Sequence, residues 1–228
     1  MDLKSHYDKL FNETKQKVQQ DNFEVDKLID YKNDNRYGIT LVIIPSQEVK
    51  DKIQIFLSEL KKIEPNQYYY RNSDIHITVM SIISCYEDFT LNQIKVQDYF
   101  EIIKKSLQNI NCFDIEFSGV TASSSAIMVQ GFPSNNHLNA VRDSLRNSFN
   151  SAEIENSLDK RYTIQTAHST VIRFREEVSK KEEFLNILEK YRNYNFGKFE
   201  VSEMIFVAND WYQKKERVEL IQKFQLLK

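Results

Sequence analysis

Ile75–Ile83 reads IHITVMSII and Ala167–Phe174 reads AHSTVIRF. Each is a dense run of apolar and β-branched residues, the composition of a buried strand. Each also carries a histidine two residues ahead of a threonine. Side chains alternate across a strand, so His76 and Thr78 share one face, as do His168 and Thr170. Ile77 and Val79 point the other way, toward covering helices. A polar pair on one face of an apolar strand needs a reason, because burying it unsatisfied costs about 1–3 kcal/mol. A lone strand histidine is ordinarily a hydrogen-bonded core residue. Two H-x-T motifs among only four histidines, one in each half of the chain, are a much stronger signal.

Outward from these runs the chain alternates between the two hydrophobic periods. Tyr37 to Ile44, YGITLVII, reads as a buried strand ending at Pro45. Ser46 caps a helix that runs to about Ile63, with Val49, Ile53, Ile55, Phe56 and Leu60 as its apolar set. Gln93 to Gln108 and Asn135 to Phe149 read as helices. Between them Cys112 to Phe117 and Ala126 to Gln130 pair as a hairpin. Residues 150–161 are polar and loop-like, and Thr163 to Phe174 contains the second motif's strand. Lys180 to Tyr191 is helical. Phe199 to Ala208 and Arg217 to Leu226 close the chain as two strands around a turn at 209–215. Ahead of all this, residues 2–30 read as one or two surface helices. Leu3, Tyr7, Leu10, Phe11, Thr14 and Val18 give way to Phe23, Val25, Leu28 and Ile29, then to a polar break at 31–36. Packing on the domain is the plain reading of this segment, and an oligomer contact the sharper one. The expected fold is α+β: a helical extension over 1–35, then a bilobal domain over 36–228 whose sequence halves resemble copies of one βα-rich unit.

Composition narrows the function classes. With 228 residues, 41% hydrophobic and 12% aromatic, the chain can build a core without staples. Lys plus Arg is 31 against 33 Asp plus Glu, a net charge of −2. That balance argues against a protein that coats duplex DNA or RNA, and it leaves room for a small anionic substrate in a local basic cleft. Four glycines form no G-x-G-x-x-G and no phosphate loop. Cys85 and Cys112 match no zinc spacing and no disulfide framework. The N-terminus lacks the apolar core of a signal peptide. No stretch approaches the roughly 18 apolar residues of a membrane span, and mean hydropathy is −0.55. A cytoplasmic monomer with no membrane association, no metal and no cofactor is the expectation.

The paired motifs resemble those of the two-histidine (2H) phosphoesterase superfamily, which includes the LigT-like 2′-5′ RNA ligase and cyclic phosphodiesterase proteins. RYGITLVIIP at 36–45 resembles the family's opening strand and following proline. HSTVIR at 168–173 resembles its second motif, and VSEMIFVANDWYQKKERVELIQKFQL at 201–226 its closing hairpin. Two stretches depart from the pattern. VMSI follows the first motif in place of a more aromatic, glycine-ended run, and the Asn209-Asp210 region replaces a glycine in the final turn.

The resemblance implies two antiparallel sheets flanked by helices, with a cleft between pseudo-symmetric lobes. It implies phosphodiester chemistry at a ribose 2′-oxygen, on a small nucleotide or single-stranded RNA. His76 and His168 would be the acid-base pair, their unperturbed pKa near 6.5 suiting either role. Thr78 and Thr170 would donate to the nonbridging phosphate oxygens. Four further residues are weaker candidates for substrate contact. Arg173 lies one step off the His168 face, so a structural ion pair competes with a phosphate contact. Trp211 and Tyr212 sit in the last turn, where stacking on a base competes with covering the core edge. Tyr37 opens the first strand. Two other readings stay open: a non-catalytic nucleotide or RNA binder using the same cleft, and an interaction module built on the N-terminal helices.

Overall fold

The computed structural model describes residues 2–20, 22, 24–160 and 163–228. The chain opens with α1 (Leu3–Gln19), capped by Asp2, whose carboxylate accepts from the backbone of Lys4 and Ser5. Tyr7, Phe11, Thr14 and Val18 recur at three- and four-residue steps and are buried. Burying apolar side chains of this size contributes about 1.5–3 kcal/mol each. Among the described residues between α1 and Tyr37 there is no second helix. Glu24 N donates to Ser124 O and Asp26 N to Phe174 O, so the backbone there is tied to neighbouring strands, and residues 27–30 form a turn. Phe23, read as part of a resumed helical pattern, lies outside the described residues.

Next come β1 (Tyr37–Ile43), α2 (Gln47–Ile63, capped by Ser46) and the two-residue β2 (Tyr68–Tyr69). Then follow β3 (Ile77–Tyr86), α3 (Val96–Leu107), β4 (Phe113–Ser123) and β5 (Ala126–Pro133). The chain ends with α4 (His137–Asn150), β6 (Ser169–Arg173), α5 (Lys181–Lys190), β7 (Asn195–Val201), β8 (Glu203–Asp210) and β9 (Glu219–Gln225). The strands form two sheets, ordered β3-β1-β8-β9 and β2-β6-β5-β4-β7, with every neighbouring pair antiparallel. The α+β, two-sheet architecture is the expected one.

Three expectations from sequence are corrected. First, the lobes are not the two halves of the sequence. Each sheet draws strands from both halves, and the helices cross over: α2 follows a strand of the first sheet but packs on β7 of the second, while α4 follows β5 but packs on β3. Second, the strand expected over 199–208 is two strands. It breaks at Ser202, where the chain passes from β4's partner in one sheet to β1's partner in the other. An uninterrupted apolar alternation does not reveal that its two ends pair with different sheets. Third, the strand expected within 163–174 is confined to Ser169–Arg173. Both motif histidines therefore sit immediately before their strands.

The sheets approach each other at β3 and β6, which brings the two motifs together. Helix α1 packs across β4 of the second sheet. Among the described residues no helix is long and apolar enough to cross a membrane.

Candidate active site

Each motif threonine is followed by a β-bulge. Opposite β3, Val42 pairs with Thr78 and Leu41 with Met80, leaving Val79 extra; opposite β6, Met128 pairs with Thr170 and Ile127 with Ile172, leaving Val171 extra. A bulge inserts one residue and resets the alternation beyond it. Hence the cleft face reads Thr78 then Ser81 on one strand, and Thr170 then Arg173 on the other. Simple alternation places Arg173 on the wrong face; the bulge at Val171 returns it to the cleft. Ser81 is its counterpart in the other lobe, and the alternation rule missed it for the same reason.

His76, Thr78, Ser81, His168, Thr170, Arg173 and Trp211 line one cavity of about 130 Å³, together with Tyr70, Asn209 and Gln213. The four strongest sequence candidates and two of the weaker ones are thus in one place. The other two weaker candidates are elsewhere. Tyr212 is buried, its hydroxyl donating to Asp26 and accepting from Arg36; Tyr37 donates to Arg217 O at 2.9 Å. Both serve packing around the last turn.

The imidazoles are held by their Nδ1 atoms. His76 Nδ1 lies 2.8 Å from Asp74 O. A carbonyl only accepts, so Nδ1 carries the proton and Nε2 is left for the cleft. The turn behind it is fixed because buried Asp74 accepts from Arg71, Ser73 and the backbone of Lys215. His168 Nδ1 lies 2.6 Å from Thr166 Oγ1. Thr166 was not singled out from sequence, although Thr166, His168 and Thr170 fall at alternate positions and could have been read as one polar face.

The local field is positive. Arg173 donates from Nε to the Tyr70 hydroxyl at 3.0 Å, and its guanidinium lies 5.9 Å from the centre of the Trp211 ring system. Arg36 lies 5.1 Å from the same ring, so the indole is a platform flanked by two cations. Beneath the cleft lies Arg142 of α4, 1% exposed. It donates to Val79 O (3.0 Å), Thr78 O (3.1 Å) and Thr166 O (2.8 Å), joining the backbones of both motifs. Its signal in the sequence was its position: Leu138, Arg142, Leu145 and Phe149 lie on the buried stripe of α4. Burial pushes both histidines below their ordinary pKa. Arg173 depresses His76 further, against the opposing bond to Asp74. Arg142, His76 and Arg173 add to burial at His168, which falls to about 4. Both imidazoles are therefore neutral in the free protein at pH 7. Among the described residues no group of three His, Cys, Asp or Glu side chains is arranged to hold a metal ion.

Residues 37–217 match the family model described as the AKAP7 2′5′ RNA ligase-like domain. The chain belongs to this family. It is accordingly a member of the 2H phosphoesterase superfamily. No curated protein matches its sequence significantly. Solved structures share the fold at low identity. TT0787 of Thermus thermophilus is 12% identical with a TM-score of 0.58, covering 82% of this chain and 97% of its own. E. coli LigT complexed with 3′-AMP is 11% identical with a TM-score of 0.56, covering 85% and 99%. A conserved protein of unknown function, ATU0111 from Agrobacterium tumefaciens str. C58, is 13% identical with a TM-score of 0.55, covering 90% and 96%. Helix α1 precedes the stretch that the family model matches.

Proposed function

We propose that this chain is a metal-independent phosphodiesterase for nucleotide esters at a ribose 2′-oxygen, either 2′,3′-cyclic phosphates or 2′-5′ linkages. The observation that carries the reading is the placement of two H-x-T motifs, each followed by its own bulge, around one small cationic cavity. The family supports an activity of the 2H phosphoesterase kind. That E. coli LigT has been crystallised with 3′-AMP, and also with ATP and NADP+, supports a nucleotide as the substrate class.

In the proposed mechanism the phosphate sits between the imidazoles. Thr78 and Thr170 donate hydroxyl hydrogens to its nonbridging oxygens, where charge builds in the transition state. Arg173 supplies the nearest cationic donor, and Trp211 offers a face for a base. His168, which burial and Arg142 hold at about 4, is taken as the base: its Nε2 takes a proton from water as the oxygen attacks phosphorus. His76 is the acid: its Nε2 hydrogen passes to the departing ribose oxygen as the P–O bond breaks. The bound phosphate's negative charge favours the proton that His76 must carry.

The test is hydrolysis of 2′,3′-cyclic nucleotides and of 2′-5′ and 3′-5′ dinucleotides in EDTA, with products identified by phosphorus NMR. His76→Ala and His168→Ala run beside the wild type. EDTA-resistant turnover lost in both variants is the expected result. Turnover that survives in both variants would place the chemistry elsewhere. Binding without turnover of any ester would instead make the chain a nucleotide-binding module.

A further inference from the structure

Tyr7 comes from α1, outside the stretch matched by the family model, yet it reaches the second histidine. The residue is 0% exposed. Its hydroxyl donates to Gly131 O at 3.3 Å and faces the Thr166 side chain and the Ala167 backbone. Thr166 in turn lies 2.6 Å from His168 Nδ1.

The direction of this row follows from its last member. Gly131 O only accepts, so the Tyr7 proton is committed to it. The Tyr7 lone pairs are then left for the donors that face them, the Ala167 N–H and the Thr166 hydroxyl, and the Thr166 lone pairs for an N–H at His168 Nδ1. His76 reaches a carbonyl directly through Asp74, whereas His168 reaches one through two hydroxyls. We propose that Tyr7 is a positioning residue for His168: through Thr166 it fixes which imidazole nitrogen carries the proton and how the ring is turned. Helix α1 is then part of the active site. The claim rests on the reading of His168 as a general base.

Two other observations support it. Tyr7 is held from several sides: its own carbonyl accepts from Thr121 Oγ1 at 2.8 Å, Thr14 Oγ1 donates to Ala122 O at 3.0 Å further along the same helix, and its ring packs edge-on against Phe132 at 5.6 Å. The same face of α1 also walls a chamber of about 520 Å³, in which His6, Tyr7 and Leu10 share the lining with His168, Thr170 and Trp211. The charged or titratable groups that face His168 are Arg142 from α4, His76 ahead of β3, Arg173 from β6 and His6 from α1. Tyr7 itself stays protonated, burial pushing its phenol up to about 12.

The experiment uses the full chain and Tyr7→Phe, which keeps the ring packing and removes only the hydroxyl. Thr166→Val and Thr166→Ser run beside it. The imidazole tautomer of His168 is read by long-range proton–nitrogen NMR without substrate, and kcat and KM are measured on the preferred ester. In the wild type the His168 proton is expected on Nδ1. Tyr7→Phe is expected to give a mixture of tautomers and to lower kcat about 10- to 100-fold with KM within about twofold, the range for losing an orienting partner. Thr166→Val should do the same, and Thr166→Ser should restore both readouts. A folded Tyr7→Phe with unchanged tautomer and kcat overturns the proposal. If Tyr7→Phe does not fold, equal behaviour of the Val and Ser variants at Thr166 overturns it instead. The tautomer needs no turnover, so an inactive wild type would sink the phosphodiesterase reading and leave the Tyr7 claim to be judged by NMR.

Discussion

Two buried imidazoles that share a cavity of about 130 Å³ with Arg173 resist taking up protons. The profile of kcat/KM, which reports the free enzyme, follows from this. In the proposed mechanism the productive form has His168 neutral and His76 protonated. The rate rises as pH passes the His168 value of about 4. It falls again as His76, held below 6.5, loses its proton. The optimum of kcat/KM is therefore expected below pH 6.5. The kcat profile should lie at higher pH, because bound phosphate raises both histidines. A kcat/KM optimum above pH 7 would refute the assignment of base and acid. Each histidine removed should cost about 10²- to 10⁴-fold in kcat. Arg173→Met should raise KM about 10- to 100-fold, the scale of one hydrogen bond to a charged group. Isothermal titration with a non-hydrolysable nucleotide checks that figure against Kd.

At the scale of the elements, the cleft depends on where strands are allowed to come close. The Val79 and Val171 bulges aim Ser81 and Arg173 inward. Gly131 on β5 does a related job. A Cβ there would lie 1.9 Å from Ala167 O, within the backbone that delivers His168. Gly131→Ala must push that backbone away, a strain of about 1–3 kcal/mol, or several degrees in Tm for a domain of this size. It also moves the carbonyl on which Tyr7 ends. Calorimetry and kcat together test this: a fall in kcat beyond what the loss of folded protein explains is the expected result. A variant with wild-type Tm and kcat would mean that β5 and the His168 segment separate at no cost.

Across the whole molecule, Arg142 ties the lobes together. Its three carbonyl partners are Thr78 and Val79 at the end of the first motif and Thr166 ahead of the second, and its Nη1 has no protein partner among the described residues. Arg142→Met would leave the three carbonyls unsatisfied, at about 1–3 kcal/mol each before relaxation. Denaturant unfolding should therefore show a loss of about 3 kcal/mol or more. Arg142→Lys should retain part of it. The depressed histidines also make stability depend on pH. Unfolded histidine titrates near 6.5 and folded His168 near 4, so between those values the unfolded chain binds the extra proton. Stability then falls as pH drops through that window and is flat in this respect above it. His76 acts in the same direction. The Tm of the wild type should fall more steeply from pH 7 to pH 4.5 than that of His168→Gln, and parallel curves would contradict the shift.

Periodicity in the sequence determined most of the elements. The strand runs around His76 and His168, the opening strand, the cap at Ser46 and the helices α2 to α5 follow from local spacing, which depends only on near neighbours. The same spacing put each threonine beside its histidine, because that pair lies ahead of the first bulge. Beyond the bulge the rule fails: Arg173 and Ser81 reach the cleft only because an extra residue is extruded against a partner strand distant in sequence. Tertiary pairing likewise decided that 199–208 divides at Ser202, that each lobe is woven from both halves of the chain, and that the Tyr37 and Tyr212 hydroxyls are engaged outside the cavity lining. It also brought Tyr7 and Arg142 beneath the motifs, over separations that a local pattern cannot encode. Local steric and hydrophobic preferences are written residue by residue; bulges, crossovers and buried polar contacts exist only once distant strands have chosen their partners.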